Sequence, residues 1–325
     1  MNVLYFIGNG FDLAQGLKTR YSDFYPYYTN RVTYPSPAVR KICETIKADY
    51  ATWADMELAL GQYTSEMNKE NFDDVYYDMS DCLRLYLRVE QEKFDPTESK
   101  VKKIKHDILY PHESLLGRDR DSISNLFLQN RDSSVAINIV TLNYTNLLDK
   151  IFGEPIDLGK ANGHLTNLKG LYHLHGDLDR TIIMGVNDRS QIANQEFSQD
   201  DDITDVLIKP QSNDAIRSSE SVMCATLIQK ADIIVLFGLS LGDSDNFWWQ
   251  MIANAMSVRS NMRLIIFCYP DAPIDITRGH KIGSKIRQVR NLFLSKIDAV
   301  NSVKENIAER IYVSFDQDYL STINL

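Results

Sequence analysis

The stretch FIGNGFD, residues 6–12, joins a short apolar run to a turn that contains two glycines. The run, residues 3–7, is apolar on both faces, which is typical of a strand in a parallel sheet covered by helices on both sides. A strand, a glycine-rich turn and a helix begin many nucleotide sites. The dinucleotide fingerprint G-x-G-x-x-G is incomplete, however, because Leu13 stands where the third glycine belongs. The stretch predicts a nucleotide site that differs from that of an ordinary dehydrogenase and carries a carboxylate, Asp12.

The length and composition of the chain limit its class. With 325 residues it can form one large α/β domain or two ordinary domains. A hydrophobic fraction of 44% and an aromatic fraction of 10% suit a packed core and argue against a mainly disordered chain. The net charge of −9 disfavours nucleic acid as a partner. Two basic stretches, residues 100–105 and 118–120, are flanked by acidic residues and are interpreted as solvated helix faces.

Cysteine usage and the lack of long apolar segments predict a cytoplasmic protein. The four cysteines include no C-x-x-C pair, so neither zinc-finger spacing nor a disulfide framework is expected. The first residues lack the pattern of a signal peptide. No run approaches the roughly 20 apolar residues of a membrane span, so no membrane contact is expected.

Short apolar runs alternate with helical patterns in the second half of the chain, which is the signature of βαβ units. The sequence therefore predicts an α/β fold with a Rossmann-like, doubly wound and mostly parallel sheet. Helical periodicity covers residues 214–230, 246–258 and 281–296. The predicted strands are residues 3–7, 136–142, 171–174, 181–184, 233–237, 264–268 and 311–314.

Residues 21–129 show helical periodicity without a convincing strand. About a hundred helical residues between the first two strands are too many for an ordinary crossover. We therefore expect a helical insertion subdomain at 21–129 and a nucleotide-binding core made of residues 1–20 and 130–325. Residues 187–213 contain the acidic run QDDDITD and little periodicity, which predicts a long surface loop near the site.

Small and polar residues follow four of the predicted strands. In doubly wound α/β proteins, ligands bind beyond the carboxyl ends of the strands, where loops from several strands converge. These four strand ends therefore form the candidate nucleotide site. Its candidate residues are Gly8, Asn9, Gly10 and Asp12 after the first strand, Asn143 after the second, His175 after the third, and Gly238, Ser240, Asp243 and Asp245 after a later one.

The first two strand ends suit phosphate and ribose. Gly8 and Gly10 would let the backbone approach a phosphate, with N–H groups at a helix N-terminus facing the anion. Asp12 is either the N-cap of that helix or a contact to ribose hydroxyls or water, because a carboxylate beside a phosphate is repulsive. Asn143 offers a donor and an acceptor that could orient a ribose, an amide or a water; the alternative is a turn residue that ends its strand.

His173 and His175 are two residues apart, so on a strand their rings face the same side. The simplest interpretation of one of them is a core histidine. His175 precedes a glycine at the strand end, where its imidazole could take a proton or hold a hydroxyl. A metal pair is disfavoured, because no third carboxylate or thiolate stands nearby at ligand spacing.

Ser240 lies in G-L-S-L-G, which fits the G-x-S-x-G turn of serine hydrolases. A triad would need Asp243 or Asp271 together with His280, the only later histidine. The flanking leucines and acidic residues favour a polar cradle instead. Glu57, in W-A-D-M-E, could reach the cleft from the helical insertion, but an exposed surface carboxylate is favoured.

Five motifs in this chain resemble, in their order, the AbiH family of bacteriophage abortive-infection proteins. They are GNGFDLAQGLKTRYSDF, W-A-D-M-E, T-L-N-Y-T, H-L-H-G and F-G-L-S-L-G-D-S-D. The resemblance spans nearly the whole chain, and the opening motif is its most specific part. It implies a role in antiphage defence, with a phage-derived trigger and self-association as the expected partners.

The same motif order resembles, more distantly, the sirtuin-type NAD-binding fold. The four cysteines of a sirtuin zinc ribbon have no counterpart here, so protein deacetylation is not expected. Asp12 also replaces the small hydroxyl residue that follows the first turn in that fold. The resemblance implies NAD-binding turns at Gly8, Gly10, Gly238 and Ser240, a role for Asn143 in positioning the nicotinamide ribose and a water, and a catalytic role for His175.

Together, the residues and the resemblance predict a cytoplasmic antiphage effector that hydrolyses NAD at the bond between nicotinamide and ribose. Asp12 or Asp245 would favour the positive charge that develops on the ribose. NAD is the substrate, and no resident cofactor or metal is expected. Two other classes stay open: a nucleotide-sensing module that regulates a partner without turnover, and a Mg²⁺-dependent nuclease or phosphoesterase that uses Asp243 and Asp245.

Overall fold

The structure is a computed structural model that describes residues 1–129, 133–153, 155–269 and 279–323. Its named strands all belong to one seven-stranded sheet. These strands are β1 (Asn2–Ile7), β2 (Val135–Thr141), β3 (Ile156–Ala161), β4 (His164–His173), β5 (Ile233–Phe237), β6 (Arg263–Phe267) and β7 (Ile311–Ser314).

The strands run across the sheet in the order β3-β4-β2-β1-β5-β6-β7. Every neighbouring pair is parallel except β3 and β4, which are antiparallel. In the register of the sheet, Tyr5 of β1 pairs with Ile139 of β2 and with Val235 of β5. The chain is therefore an α/β protein with a mostly parallel sheet, and the first strand of the sequence lies in its middle.

Helices connect the strands and cover the sheet. No helix within the described ranges is long and apolar enough to cross a membrane. The helices are α1 (Gly10–Ala14), α2 (Tyr21–Thr29), α3 (Pro37–Ala48), α4 (Met56–Tyr63), α5 (Lys69–Gln91), α6 (Glu98–Leu109), α7 (Gly117–Gln129), α8 (Leu147–Phe152), α9 (Asp201–Leu207), α10 (Lys209–Ala215), α11 (Ser219–Lys230), α12 (Asn246–Val258), α13 (Gly279–Ser295) and α14 (Asn301–Ala308).

Side chains of β1 alternate between two apolar cores, one on each face of the sheet. Tyr5 and Ile7 belong to one core, which α6, α7 and α8 help to form. Leu4 and Phe6 belong to the other, together with side chains from α11, α12, α13 and α14. Because helices cover both faces, β1 is buried from its second residue onward, which explains why its sequence is apolar without alternation.

A third apolar core joins α2–α5 to residues 178–208. Trp53 and Leu60 from the helical segment pack in this core with Phe197 and Leu207. We call α2–α5 together with residues 178–208 the cap. The helices α6 and α7 of the expected insertion pack in a sheet core instead, and an independent subdomain at 21–129 stays a prediction.

Two local predictions are wrong. Residues 181–184 form no strand, although Ile182 and Met184 are buried. Residues 187–213 are not an irregular surface loop, because α9 and most of α10 lie within them and Phe197 is buried in the third core. In both cases the apolar residues of the segment pack against α2–α5, a partner that local sequence patterns do not reveal.

The antiparallel hairpin of β3 and β4 was not predicted. Its turn contains Asn162 and Gly163, both with positive φ, at 52° and 85°. Asn-Gly is the pair that two-residue hairpin turns favour, because both positions require this backbone conformation. The sequence therefore contained a hairpin signal at this point.

Candidate functional site

The carboxyl ends of β4, β2, β1 and β5 lie side by side at one edge of the sheet, because these four strands are neighbours and parallel. The four motifs singled out in the sequence follow these strands directly. Polar side chains from distant parts of the chain therefore meet at this edge, where ligands bind in open α/β sheets. They form two groups, one around Asp12 and one around Lys209.

The glycine turns after β1 and β5 pack against each other. The N–H of Gly8 donates to the carbonyl of Phe237 at 2.9 Å, and the N–H of Gly10 donates to the carbonyl of Gly238 at 2.8 Å. A Cβ on Gly10 would lie 2.3 Å from Cα of Gly238, so the two turns can meet only as glycines. Both N–H groups are used within the protein, and the phosphate-facing arrangement expected of them is not formed.

Asn9 is bonded to a neighbouring segment of the chain. Its amide donates to the carbonyl of Thr19 at 3.0 Å, and the Thr19 hydroxyl donates to Oδ1 of Asn9 at 2.6 Å. These two bonds hold the turn after β1 against the residues that lead into α2. In this structure the Asn9 side chain therefore stabilises the turn.

Asp12 is a buried carboxyl held by two side chains from the β2 strand end. Oδ1 accepts from the amide of Asn143 at 2.9 Å, and Oδ2 accepts from the hydroxyl of Thr145 at 2.6 Å. The N-cap position of α1 is Asn9, so the helix-cap interpretation of Asp12 is wrong. Burial raises the pKa of Asp12 to about 7, although both hydrogen bonds act to lower it. A carboxyl with this pKa can exchange a proton near neutral pH.

The raised pKa of Asp12 predicts an unusual pH dependence of stability. The folded protein keeps the Asp12 proton up to about pH 7, whereas the unfolded chain releases it near pH 3.8. The free energy of unfolding should therefore fall by about 1.4 kcal/mol per pH unit between pH 5 and 6 from this group alone. Asp12→Asn should remove this contribution, since Asn is isosteric and cannot ionise; urea unfolding at several pH values measures it.

Asp49→Asn is the matched control for this experiment. Asp49 is exposed, and hydrogen bonds from Thr52 are the main cause that lowers its pKa. The control should leave the slope of stability between pH 5 and 6 close to that of the wild type. An Asp12→Asn protein with the wild-type slope would show that Asp12 is ionised throughout this range.

The second group is centred on Lys209, the first residue of α10. Its Nζ lies 2.6 Å from Oε2 of Glu57 and 3.0 Å from Oδ1 of Asp245. Nε2 of His175 lies 3.3 Å from the same Asp245 oxygen and has no hydrogen-bond partner among the residues that the structure describes. The Tyr144 hydroxyl is 3.0 Å from the carbonyl oxygen of Ile183 and also 3.3 Å from Oε1 of Glu57. Glu57 and Lys209 are both buried, and Asp245 is nearly so.

Local structure explains how Glu57 and Lys209 reach this point. Asp55 is the N-cap of α4 and accepts from the backbone N–H of Glu57, which fixes Glu57 in the first turn of that helix. The backbone N–H of Lys209 donates to the carbonyl of Val186 at 2.9 Å. The Glu57 carboxylate, from the cap, and the Lys209 ammonium, from the residue directly after the cap, are thereby held against the sheet edge.

The charges of this group are set by burial and by one another. Burial acts to lower the pKa of Lys209, but Asp245 and Glu57 together outweigh it and raise the pKa. Burial acts to raise the pKa of Asp245, but the Lys209 ammonium outweighs it and lowers the pKa. Burial raises the pKa of Glu57 to about 7 against the opposing effect of Lys209. Near neutral pH the group contains one ammonium, one carboxylate and a carboxyl that is titrating.

The two strand-end histidines have different surroundings. His173 ends β4, and its ring nitrogens lie 2.8 Å from Oδ2 of Asp149 and 3.2 Å from the carbonyl oxygen of Asn143. Burial acts to lower the pKa of His173, but Asp149 outweighs it and raises the pKa. Burial, followed by the charge of Lys209, lowers the pKa of His175 to about 3. The pair expected on one side of a strand is therefore not formed, because His175 lies beyond the end of β4.

Two further candidate residues in the loop after β5 lie at the surface. Ser240 and Asp243 are exposed, and Asp243 is paired with Lys296 at 2.5 Å. No hydrogen bond joins Ser240 to a histidine within the described ranges, and Asp271 lies outside them. His280 is exposed at the start of α13. The part of the chain that the structure describes thus lends no support to the serine-hydrolase triad.

The arrangement of the two acidic residues after β5 bears on the phosphoesterase alternative. Asp243 pairs with Lys296, whereas Asp245 pairs with Lys209, so each carboxylate has a lysine of its own. Among the described residues, no three His, Cys, Asp or Glu side chains come together so that they could hold a metal ion. The described side chains therefore do not support a Mg²⁺ site built on these two residues.

Two members of the Lys209 group were missed or misjudged from the sequence. Glu57 was expected to be an exposed carboxylate and is instead only 6% exposed, so that prediction is wrong. No sequence pattern distinguishes Lys209 from a surface lysine. Its neighbours Ile208 and Pro210 give no hint of an ion pair, and a lone lysine after an acidic segment is ordinarily a surface residue.

The fold and these side chains define an α/β protein with a candidate polar site at the carboxyl edge of a mostly parallel sheet. The family model described as Bacteriophage abortive infection AbiH matches residues 4–267, most of the chain. The chain therefore belongs to the AbiH family, and the resemblance seen in its motifs is confirmed. No curated protein matches the chain.

Proposed function

We propose that this AbiH protein is an effector of phage abortive infection and that it hydrolyses NAD at the bond between nicotinamide and ribose. The order of the parallel strands carries the proposal. Along the sheet, the six parallel strands run β4-β2-β1-β5-β6-β7. Counted by their order in the chain, these are the third, second, first, fourth, fifth and sixth parallel strands. This is the order of doubly wound dinucleotide-binding sheets. It supports a Rossmann-like, sirtuin-like interpretation of the fold, with the ligand crevice at the edge that holds both polar groups.

The bond to nicotinamide breaks with positive charge developing on the ribose, so the site must stabilise a cation. The carboxylates of Glu57 and Asp245 both lie beside Lys209 Nζ, at 2.6 and 3.0 Å. Fixed carboxylates in a partly desolvated site stabilise such charge more strongly than water does. We assign this role to Asp245, whose carboxylate is ionised, with Glu57 as its neighbour.

The attacking water needs a base, and Asp12 suits this role. Asn143 and Thr145 hold its two oxygens, and its pKa is near 7. In the proposed step, the water oxygen bonds to the anomeric carbon while the electron pair of the carbon–nitrogen bond moves to the nicotinamide nitrogen. The water proton passes to Asp12, and the products are nicotinamide and ADP-ribose.

His175 has a different role in this proposal. With a pKa of about 3, its imidazole is a weak base and stays neutral at working pH. Within the described part of the chain, its Nε2 is buried without a hydrogen-bond partner. A ribose hydroxyl would satisfy that nitrogen, so we assign His175 to holding the ribose rather than to accepting the proton of the water.

The direct test is to incubate the purified protein with NAD and to measure nicotinamide and ADP-ribose. His175→Ala should lower the rate by about 100-fold, because a ribose that is no longer held in place is misaligned for the reaction. His106→Ala is the control, because His106 is exposed on α6 away from the strand ends. The proposal is wrong if the wild type releases no nicotinamide with or without phage lysate, or if both variants keep the wild-type rate.

Asn143→Ala separates hydrolysis from simple binding. Asn143 acts through Asp12, so its loss should reduce turnover by about 10-fold or more and leave NAD affinity within a factor of a few. Calorimetric titration with NAD measures the affinity and the release assay measures the turnover. Tight binding of NAD by a wild type that never consumes it would instead identify a nucleotide-sensing module.

A further inference from the structure

The Lys209 ammonium occupies a position between the cap and the sheet edge that is built for a cation. Glu57 comes from α4 of the cap, whereas Asp245 and His175 follow strands of the sheet. Both carboxylates point at the same Nζ, at 2.6 and 3.0 Å. Without the ammonium, two carboxyl groups would face each other in a buried space.

A tyrosine stands beside one of these carboxylates. The hydroxyl of Tyr144 is 3.3 Å from Oε1 of Glu57. Burial, and after it the charge of Glu57, raises the pKa of Tyr21 and of Tyr144. An aromatic ring face attracts an organic cation through its quadrupole, which would add to the attraction of the carboxylates.

The position can be reached from solvent on one side. The Asp245 side chain is 15% exposed, whereas those of Lys209 and Glu57 are 3% and 8% exposed. Among the described residues, Nζ of Lys209 donates to these two carboxylates, Glu57 and Asp245. An incoming cation could therefore approach beside Asp245 and take the place of the ammonium.

We propose that the pocket formed by Glu57 and Asp245 binds the cationic ring of an N-substituted pyridinium, and that Lys209 occupies this pocket in the resting protein. The inference rests on the proposed function, because the nicotinamide ring of NAD carries this charge. Substrate binding would require the Lys209 ammonium to leave, so the resting protein holds its own site closed. A signal that moves α10 away from the sheet edge would then open it.

The test removes the ammonium and offers cations in its place. Lys209→Ala should be destabilised, and propylammonium should raise its melting temperature because it restores the missing charge. If the proposal is right, 1-methylnicotinamide, a pyridinium cation, should also stabilise Lys209→Ala. Its affinity for the variant should be at least about tenfold higher than for the wild type, and tenfold higher than that of neutral nicotinamide for the variant.

Lys69→Ala is the matched control, because Lys69 also pairs with two carboxylates, Asp200 and Asp202, but at the exposed surface. No cation should stabilise this control. Should Lys209→Ala not accumulate as folded protein, the double variant Glu57→Gln with Lys209→Ala keeps one carboxylate, and the same ligands are tested on it.

Three results would overturn the proposal. Stabilisation by propylammonium alone would mean that the pocket accepts only a lysine-like cation. No stabilisation by either cation would mean that the pocket does not bind cations at all, and equal binding of neutral nicotinamide would mean that charge is not recognised. None of these measurements uses NAD turnover, so a protein that binds the pyridinium but never hydrolyses NAD contradicts only the proposed function.

Discussion

Lys209→Met is expected to lower the free energy of unfolding by about 3–5 kcal/mol at pH 8. Methionine keeps much of the apolar volume of the lysine stem, so the substitution mainly removes the ammonium. Glu57 and Asp245 would then remain buried without a counter-charge, because Lys209 is the cation that pairs with both of them. Breaking a buried ion pair by removing one partner leaves an uncompensated charge, which is the costly part of the change.

The pH dependence of the stability lost in Lys209→Met shows whether unpaired charge or lost packing causes it. Without the ammonium, the pKa values of both carboxyls in the folded protein should lie above those of the unfolded chain. The folded state then favours their protonated forms, so the loss of stability should shrink as the pH falls from 8 to 5 and grow again as it rises. Urea unfolding at several pH values measures this, and Lys69→Met, at an exposed ion pair, should change little at any pH. A loss that does not depend on pH would mean that lost packing, and not the unpaired carboxylates, is responsible.

The parts of the fold that the sequence predicted are those in which local pattern and final environment agree. β1, β2 and β5 are apolar on both faces, and the sheet buries them on both faces. Because these strands are parallel, their carboxyl ends lie at the same edge of the sheet. This arrangement brings Asn143 and Asp12 into contact. A polar residue directly after a buried parallel strand is therefore a strong indication of this edge.

The Lys209 group could not be predicted in the same way. It depends on packing between the cap and the sheet, and the third core that holds α4 against residues 178–208 joins segments more than a hundred residues apart. Glu57 lies on a helix where an acidic residue in the first turn is ordinarily solvated. Its burial is decided by Lys209 and Tyr144, so no local pattern around Glu57 distinguishes a site residue from a surface one.

Gly238→Ala is expected to be the second most damaging substitution. Gly238 has φ of +67°, a conformation that costs an alanine about 1–2 kcal/mol. Its Cβ would also lie 2.8 Å from Cα of Gly10 and from the backbone N of Phe11. These atoms belong to the turn after β1 and to α1, so relief would require the two strand ends to separate, at a further cost of about 1–3 kcal/mol.

Gly16→Ala is the control that separates the cost of the close contact at Gly238 from the cost of the backbone conformation. Gly16 has φ of +84°, but no atom of the described residues would lie within 4 Å of its Cβ. Its substitution should therefore cost only the strain of the backbone conformation, about 1–2 kcal/mol. The difference between the two variants in urea unfolding therefore measures the close approach of the β1 and β5 strand ends. If Gly238→Ala and Gly16→Ala lose the same stability, the turns can separate without cost, and the glycines at positions 8, 10 and 238 are not needed for their packing. A larger loss in Gly238→Ala would mean that this strand-end contact is rigid, since both N–H bonds that join the turns run across it.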